Sequence, residues 1–363
     1  MDQCIRDYFL EVEDFRQAGK CRYQLADLLL VGLCTYLSNG QDYADMVLFA
    51  QTHAPHLPDL IALPCAPSHD TFNRVFQLLE PRVLRQLLSD HGRRLLDTLA
   101  QKQICLDGKK LRGVSPRSSG NAGLYVVNAW VSENRLCVGQ VRVEQKSNEI
   151  TALPTLLAQL DLTDAVVTTD AMGCQTAIAG QIRRQQGHYL LALKRNHGQL
   201  WEEVHGAFQA NAAVTAHERW EYSRDRLEQR QCWQLPVNCL DATFGQAWAG
   251  LQTVVKIEAT RTIGGQTQRE VRYYLSSETE ANTLYYSKLA RGHWGIENHL
   301  HWHLDVTLKE DACRVRTGYG PENLATLRKL TLQLLTQQRD GLSLQKRRVK
   351  AAYDVQYLRQ LLT

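Results

Sequence analysis

The stretch Ala165-Val-Val-Thr-Thr-Asp-Ala-Met-Gly-Cys174 constrains the fold of this chain more than any other. Val166–Thr169 is β-branched throughout, which suits a strand buried in the middle of a sheet. Gly173 and the helix-forming residues after it predict a short turn into a helix. The strand thus delivers one carboxylate, Asp170, at its C-terminal end, where ligands bind in open α/β sheets. An Asp at that place is at least as often a helix N-cap. The question is whether carboxylates elsewhere in the chain converge on it.

Taken in order, residues 1 to about 100 are helical by pattern, with the strongly apolar run Cys21–Leu37 ended by Asn39-Gly40. Ser68 or Asp70 caps a segment over Thr71–Leu79, and Pro81 opens another reaching about Ala100. From Gln103 the period changes. Ile104-Cys-Leu-Asp107 is a short apolar run ending in Asp-Gly, and Leu124–Val131 with Leu136–Glu144 reads as a β-hairpin. A helix over Glu149–Leu160, the opening strand, a helix over Cys174–Gln186 and a fifth strand, His188–Lys194, follow. This order predicts an antiparallel meander of three strands and then parallel βαβ units. The first and fourth strands then lie side by side, so that Asp107 and Asp170 share one edge of the sheet.

Residues 195 to about 282 break that rhythm with strand candidates Arg230–Val237, Gln252–Arg261 and Glu270–Ser276, the last two joined by Gly264-Gly265. They read as a β-rich insertion. Helical pattern resumes over Leu284–Leu304 and Glu322–Thr336, and a basic helical tail, 341–363, contains Gln345-Lys-Arg-Arg-Val-Lys350. The division expected is a helical domain at 1–100, an α/β domain at 101–340 carrying the insertion at about 195–282, and the tail.

Two aspartates make a weak divalent-cation site on their own, since hard cations such as Mg²⁺ need several oxygen ligands. Two-metal phosphoryl transfer holds its ions roughly 3.5–4 Å apart and needs a further carboxylate. Glu297, in Trp294-Gly-Ile-Glu-Asn298, competes for that place with Asp305, Glu310 and Asp311. The flanking Trp294 and Trp302 suggest that it is buried, where a carboxylate needs a charge partner or a metal. Basic residues recur at the ends of the same elements: Lys109, Lys110 and Arg112 after the first Asp, then Lys146, Lys194, Arg195 and Arg291. Singly each reads as a surface charge; together they suit a phosphate backbone. His293, His301 and His303 lack the spacing of a zinc site. Ser68-His69-Asp70 cannot form a triad, because adjacent residues do not converge. Neither a P-loop nor a dinucleotide fingerprint occurs.

Composition narrows the field further. The chain is 44% hydrophobic and 22% charged, enough for a sizeable core, and no apolar run approaches the roughly 20 residues that cross a bilayer. Ten scattered cysteines without a C-x-x-C pair, and an N-terminus without an apolar signal core, predict reduced thiols in the cytoplasm. A net charge of +4 permits a nucleic-acid partner without demanding one.

Several blocks together resemble a known family: Asp14-Phe-Arg, Pro67-Ser-His-Asp-Thr-Phe, Leu106-Asp-Gly-Lys-Lys-Leu-Arg-Gly, Lys146-Ser-Asn-Glu-Ile-Thr-Ala-Leu-Pro, Thr169-Asp-Ala-Met-Gly-Cys-Gln and His293-Trp-Gly-Ile-Glu-Asn-His-Leu-His-Trp-His-Leu-Asp305. The family is that of the bacterial DDE insertion-sequence transposases, in the branch that includes the H-repeat-associated proteins. The resemblance spans nearly the whole chain. It implies a ribonuclease-H-like catalytic domain with a β-rich insertion, preceded by a small helical associated domain. Its acidic ligands fall on Asp107, Asp170 and Glu297. The implied activity is cleavage of element ends and their joining to target DNA, with two Mg²⁺ ions (Mn²⁺ as substitute). The expected partner is double-stranded DNA, with a homo-oligomer on that DNA, no membrane, and a bacterial cytoplasmic, nucleoid-associated location. Lys109, Arg112, Lys146, Lys194 and Arg291 are the expected DNA contacts. A metal-dependent nuclease without strand transfer, or an inactive or domesticated DNA-binding protein, are the alternatives. The chain departs from related transposases in having His293 where an Arg precedes the glutamate and Leu304 where a Lys follows it.

Overall fold

The computed structural model describes residues 4–96, 98–114, 123–143, 149–211, 217–223, 226–279 and 282–362. Their strands are β1 (Gln103–Leu111), β2 (Leu124–Val131), β3 (Leu136–Val143), β4 (Val166–Thr169), β5 (His188–Leu193), β6 (His217–Ser223), β7 (Arg226–Pro236), β8 (Thr253–Ile263) and β9 (Gln266–Ser276). They form a nine-stranded sheet in the order β3-β2-β1-β4-β5-β9-β8-β7-β6. β1, β2 and β3 are antiparallel, and β1, β4 and β5 are parallel. The expected neighbours, first strand and fourth, are therefore paired.

The strands expected in the insertion extend this sheet. β9 pairs antiparallel with β5, Leu190 opposite Ser276 and Leu193 opposite Tyr273. The physical reason lies in β5, an apolar strand whose second edge needs backbone partners. The Gly264-Gly265 turn between β8 and β9 has φ of +55° and +80°, the backbone of a two-residue hairpin that favours glycine.

Helices cover both faces. In the N-terminal region lie α1 (Ile5–Leu10), α2 (Leu25–Leu37), α3 (Tyr43–Thr52), α4 (His69–Leu78) and α5 (Pro81–Leu96). Between strands come α6 (Glu149–Leu157), α7 (Thr176–Arg184), α8 (Gly198–Ala210) and α9 (Ala242–Ala247). After the sheet follow α10 (Thr283–His293), α11 (Gly320–Gln337), α12 (Leu344–Tyr353) and α13 (Val355–Leu362). Leucines and isoleucines of α6, α7 and α8 bury Ile104, Leu106, Val127, Val167 and Leu191 on one face. On the other, Tyr286, Leu289 and Ala290 of α10 lie on Val166, Leu190, Val255, Ile257 and Tyr274.

α2 is apolar nearly all round, and every residue of it is buried. It sits at the centre of a bundle whose single core includes residues of α1–α5 and α11–α13. A Cβ at Gly32 would come within 2.9 Å of Phe76 and 3.2 Å of Leu327, so that glycine sets how closely α2 approaches its neighbours. Arg347 and Arg348 of the basic tail turn inward and serve this bundle. Arg348 is buried, donating Nε to Tyr36 O (2.8 Å) and Nη2 to Gly40 O (3.1 Å).

The helix expected over Leu284–Leu304 is not continuous. α10 ends at His293, and Ile296–His301 and His303–Thr307 are wound as π-helix, with Leu308 N donating to His303 O five residues back. Wide turns of this kind concentrate at functional sites. Two glycines let the segment press onto the sheet. A Cβ at Gly292 would lie 2.0 Å from Gln103 Oε1, and one at Gly295 would lie 3.1 Å from Trp130.

Candidate active site

The site begins with the register of two strands. Leu106 pairs with Thr169 across parallel β1 and β4, so Asp107 and Asp170 occupy the next step of the same register. Neighbouring strands lie about 4.8 Å apart, which brings the two carboxylates onto adjacent backbones. Asp107 stands inside β1, which runs on to Leu111 because β2 continues to pair with it. Asp170 lies one residue past the end of β4, where its Oδ1 accepts from Met172 N (3.0 Å) and Gly173 N (3.4 Å). Those bonds make it a turn-forming residue as well. A Cβ on Gly173 would strike Thr169 at 2.6 Å, so the turn that presents Asp170 needs glycine there.

Two histidines of the following segment face these aspartates. His301 Nδ1 lies 3.6 Å from Asp107 Oδ2, and its Nε2 lies 3.5 Å from Asn128 Nδ2. His293 Nδ1 lies 3.1 Å from Thr168 Oγ1, and Asp170 acts on its ring. Burial pushes His293 down to about 4, against the opposing pull of Asp170. Burial, followed by the Lys109 and Lys329 ammoniums, pushes His301 down to about 3. Both rings are therefore neutral at pH 7.

Glu297 does not join the aspartates. It is exposed, and among the described residues it makes no ion pair and belongs to no group of three Asp, Glu, His or Cys placed to hold a metal ion. The buried setting expected from its tryptophans is not found, since Trp294 is 42% and Trp302 51% exposed. Glu297 instead lines a groove of about 560 Å³ between the π-helical segment and β7–β9, with Arg230, Arg261, Arg272, Arg291 and Trp294. Arg272 stacks on Trp294 at 4.6 Å.

Its three competitors are engaged elsewhere. Lys109 Nζ lies 2.6 Å from Asp305, 3.3 Å from Glu310 and 3.7 Å from Asp311. Lys109, expected at a DNA phosphate, is only 7% exposed and is enclosed by these carboxylates. The strand period explains this: residues two apart share a face, so Lys109 points the way Asp107 does, toward the helical layer. Burial works to lower the Lys109 ammonium, but Glu310, Asp305 and Asp311 together outweigh it and raise its pKa. Burial also raises Asp305, with Lys109 opposing. Nearby, burial lowers the wholly buried Lys329, against the pull of Glu310.

Of the other basic residues, Arg112 is largely exposed, 3.8 Å from Asp311. Lys194 is exposed at the end of β5, and Arg291 pairs with Glu221 at 2.8 Å. Lys146 lies outside the described residues. The sequence reading gave His293 and His301 no role beyond rejecting zinc. Their signal was the four-residue spacing on either side of Glu297.

Hard oxygen donors side by side on β1 and β4 fit a divalent cation. The second oxygen of Asp170 accepts no hydrogen bond from the described residues, which leaves it available to one. The third carboxylate is not gathered with them.

Residues 99–334 match the family described as Transposase DDE domain, and residues 6–91 match the one described as DDE_Tnp_1-associated. The chain belongs to the DDE transposase family. It is 31% identical to the "H repeat-associated putative transposase YhhI" of Escherichia coli (strain K12), over 99% of this chain and 97% of that protein. It is 32% identical, over the same shares, to the "Putative protein YbfL" of the same strain. With the "Putative transposase YncI" of Escherichia coli O157:H7 the identity is 30%, over 99% and 94%. No helix among the described residues is long and apolar enough to cross a membrane.

Proposed function

We propose that this protein is the transposase of an insertion sequence, cutting the element's ends and joining them to target DNA by two-metal phosphoryl transfer. The observation that carries the reading is the shared register of Asp107 and Asp170 on β1 and β4. Asp107 and Asp170 would hold two Mg²⁺ ions, or Mn²⁺ in their place, and Glu297 is the third carboxylate of the set. Such ions, when bound, activate the attacking water or 3′-hydroxyl and stabilise the leaving oxygen. The chain's own part is to aim the two aspartates from a rigid sheet and to keep their approach open. The strand order β3-β2-β1-β4-β5 supports a ribonuclease-H-like catalytic domain at 101–340, with β6–β9 as the insertion and 1–100 as the associated helical domain. Exposed Arg112 and Lys194 are the proposed phosphate contacts, Arg291 joining them if it leaves Glu221. The working assembly is a homo-oligomer on double-stranded DNA in the bacterial cytoplasm, at the nucleoid.

The test uses the full chain with Mg²⁺ or Mn²⁺ and DNA carrying the element's terminal repeats. Nicked and joined products are expected, and Asp170→Asn should abolish both while DNA retention in a gel-shift assay persists. Nicking without joining would favour a metal-dependent nuclease. The separation of Glu297 from the aspartates favours a second reading, a chain that binds DNA without cutting it. Absence of any nick in the parent chain would select that one.

A further inference from the structure

His301 has its proton position written in its surroundings. Asn128 Nδ2 lies 3.5 Å from Val126 O, which can only accept, so the amide presents its N–H₂ on that side. The same Nδ2 lies 3.5 Å from His301 Nε2. That nitrogen therefore offers a lone pair, and the ring hydrogen sits on Nδ1, facing Asp107.

We propose that His301 is a positioning residue that aims Asp107 through Nδ1–H, with Asn128 selecting the tautomer. The proposal rests on reading Asp107 and Asp170 as the cation-holding pair. Two carboxylates on adjacent strands repel each other and need donors that fix their rotamers. A lysine or arginine in that place would form an ion pair and compete with a bound cation. A neutral N–H orients the carboxylate and leaves its charge for the metal. The contact at Asp107 is longer than a closed hydrogen bond, as such contacts often are before a site is loaded.

The experiment titrates the full chain with Mn²⁺ alone and follows the paramagnetic resonance signal of the free ion. Loss of a partner that orients a metal ligand raises Kd by about 10-fold or more, and that is expected for H301A. Amide substitutions then separate orientation from packing, because Asn carries its N–H near the position of Nδ1 and Gln near that of Nε2. H301N should recover most of the affinity and H301Q should not. Equal behaviour of Asn and Gln at position 301, or an alanine variant that binds like the parent, overturns the proposal. A parent chain that binds no Mn²⁺, or a D170N variant that binds it undiminished, overturns the reading of the aspartates and this proposal with it. Melting temperatures and circular dichroism of all the variants report folding alongside.

Discussion

Replacing Lys109 with methionine keeps most of the side-chain volume and removes the ammonium that Asp305, Glu310 and Asp311 surround at 2.6, 3.3 and 3.7 Å. The three carboxylates respond differently. Asp305 and Asp311 retain roughly a third of their side-chain exposure and can rehydrate, whereas Glu310 has none. Neither oxygen of Glu310 accepts a hydrogen bond among the described residues, so in the variant it keeps only the more distant field of buried cations such as Lys329. Removing one partner of a buried ion pair costs about 3–5 kcal/mol, and the lower end is expected because the other two carboxylates reach water. Urea unfolding followed by tryptophan fluorescence would measure the loss, with E310Q and the double variant K109M/E310Q completing a cycle. The double variant should recover at least half of it. A loss below about 1 kcal/mol would refute the reasoning, on the scale of an exposed pair. If K109M were as stable as the parent and instead reduced the salt slope of DNA binding by about 0.9, Lys109 would be a phosphate contact after all.

Asp340 gives a prediction in pH. The Tyr357 hydroxyl at 2.6 Å, and Arg347 at 2.8 Å, hold its carboxyl well below the usual range in spite of opposing burial. A depressed folded pKa contributes stability that is complete above the unfolded value near 3.9 and is lost as pH falls toward the folded value. D340N should therefore be least stable relative to the parent at pH 7, with the two curves converging in acid; a constant difference down to pH 3 would contradict this. For Gly292→Ala the added Cβ meets Gln103 Oε1 at 2.0 Å and Ser132 Oγ at 3.2 Å, and a destabilisation of about 1–3 kcal/mol is expected in the same unfolding assay. An alanine variant as stable as the parent would show that this close approach is dispensable.

Local patterning was enough to locate β4 and its turn, the β2–β3 hairpin and the adjacency of β1 and β4. In those segments β-branched runs, alternation and a glycine turn all agree with the tertiary outcome. The attachment of β9 to β5 was not legible, because nothing within either strand names a partner 80 or more positions away. The π-helical turns were missed for a related reason. Apolar spacing over Leu284–Leu304 matches an α-helix about as well, and it is the contact of Gly292 and Gly295 with β1 and β2 that accompanies the change of winding. Lys109 was misjudged as a surface charge although its parity with Asp107 placed it on a covered face. The acidic residues that enclose it lie nearly 200 positions later, and only folding brings them together.

The burial of α2 has a consequence for synthesis. Its apolar surface is covered in part by α11 and α12, and α11 begins at Gly320, 283 positions after α2 ends at Leu37. At about 5–20 residues per second a ribosome needs roughly fifteen to sixty seconds to cover that interval. For that time the greasiest helix of the nascent chain lacks the part of its cover that α11 and α12 supply, and Asp107 and Asp170 are translated long before the bundle can close. Competence is therefore acquired only after α11 and α12 have been made. A truncated product would carry both aspartates and still lack the helices that complete the core.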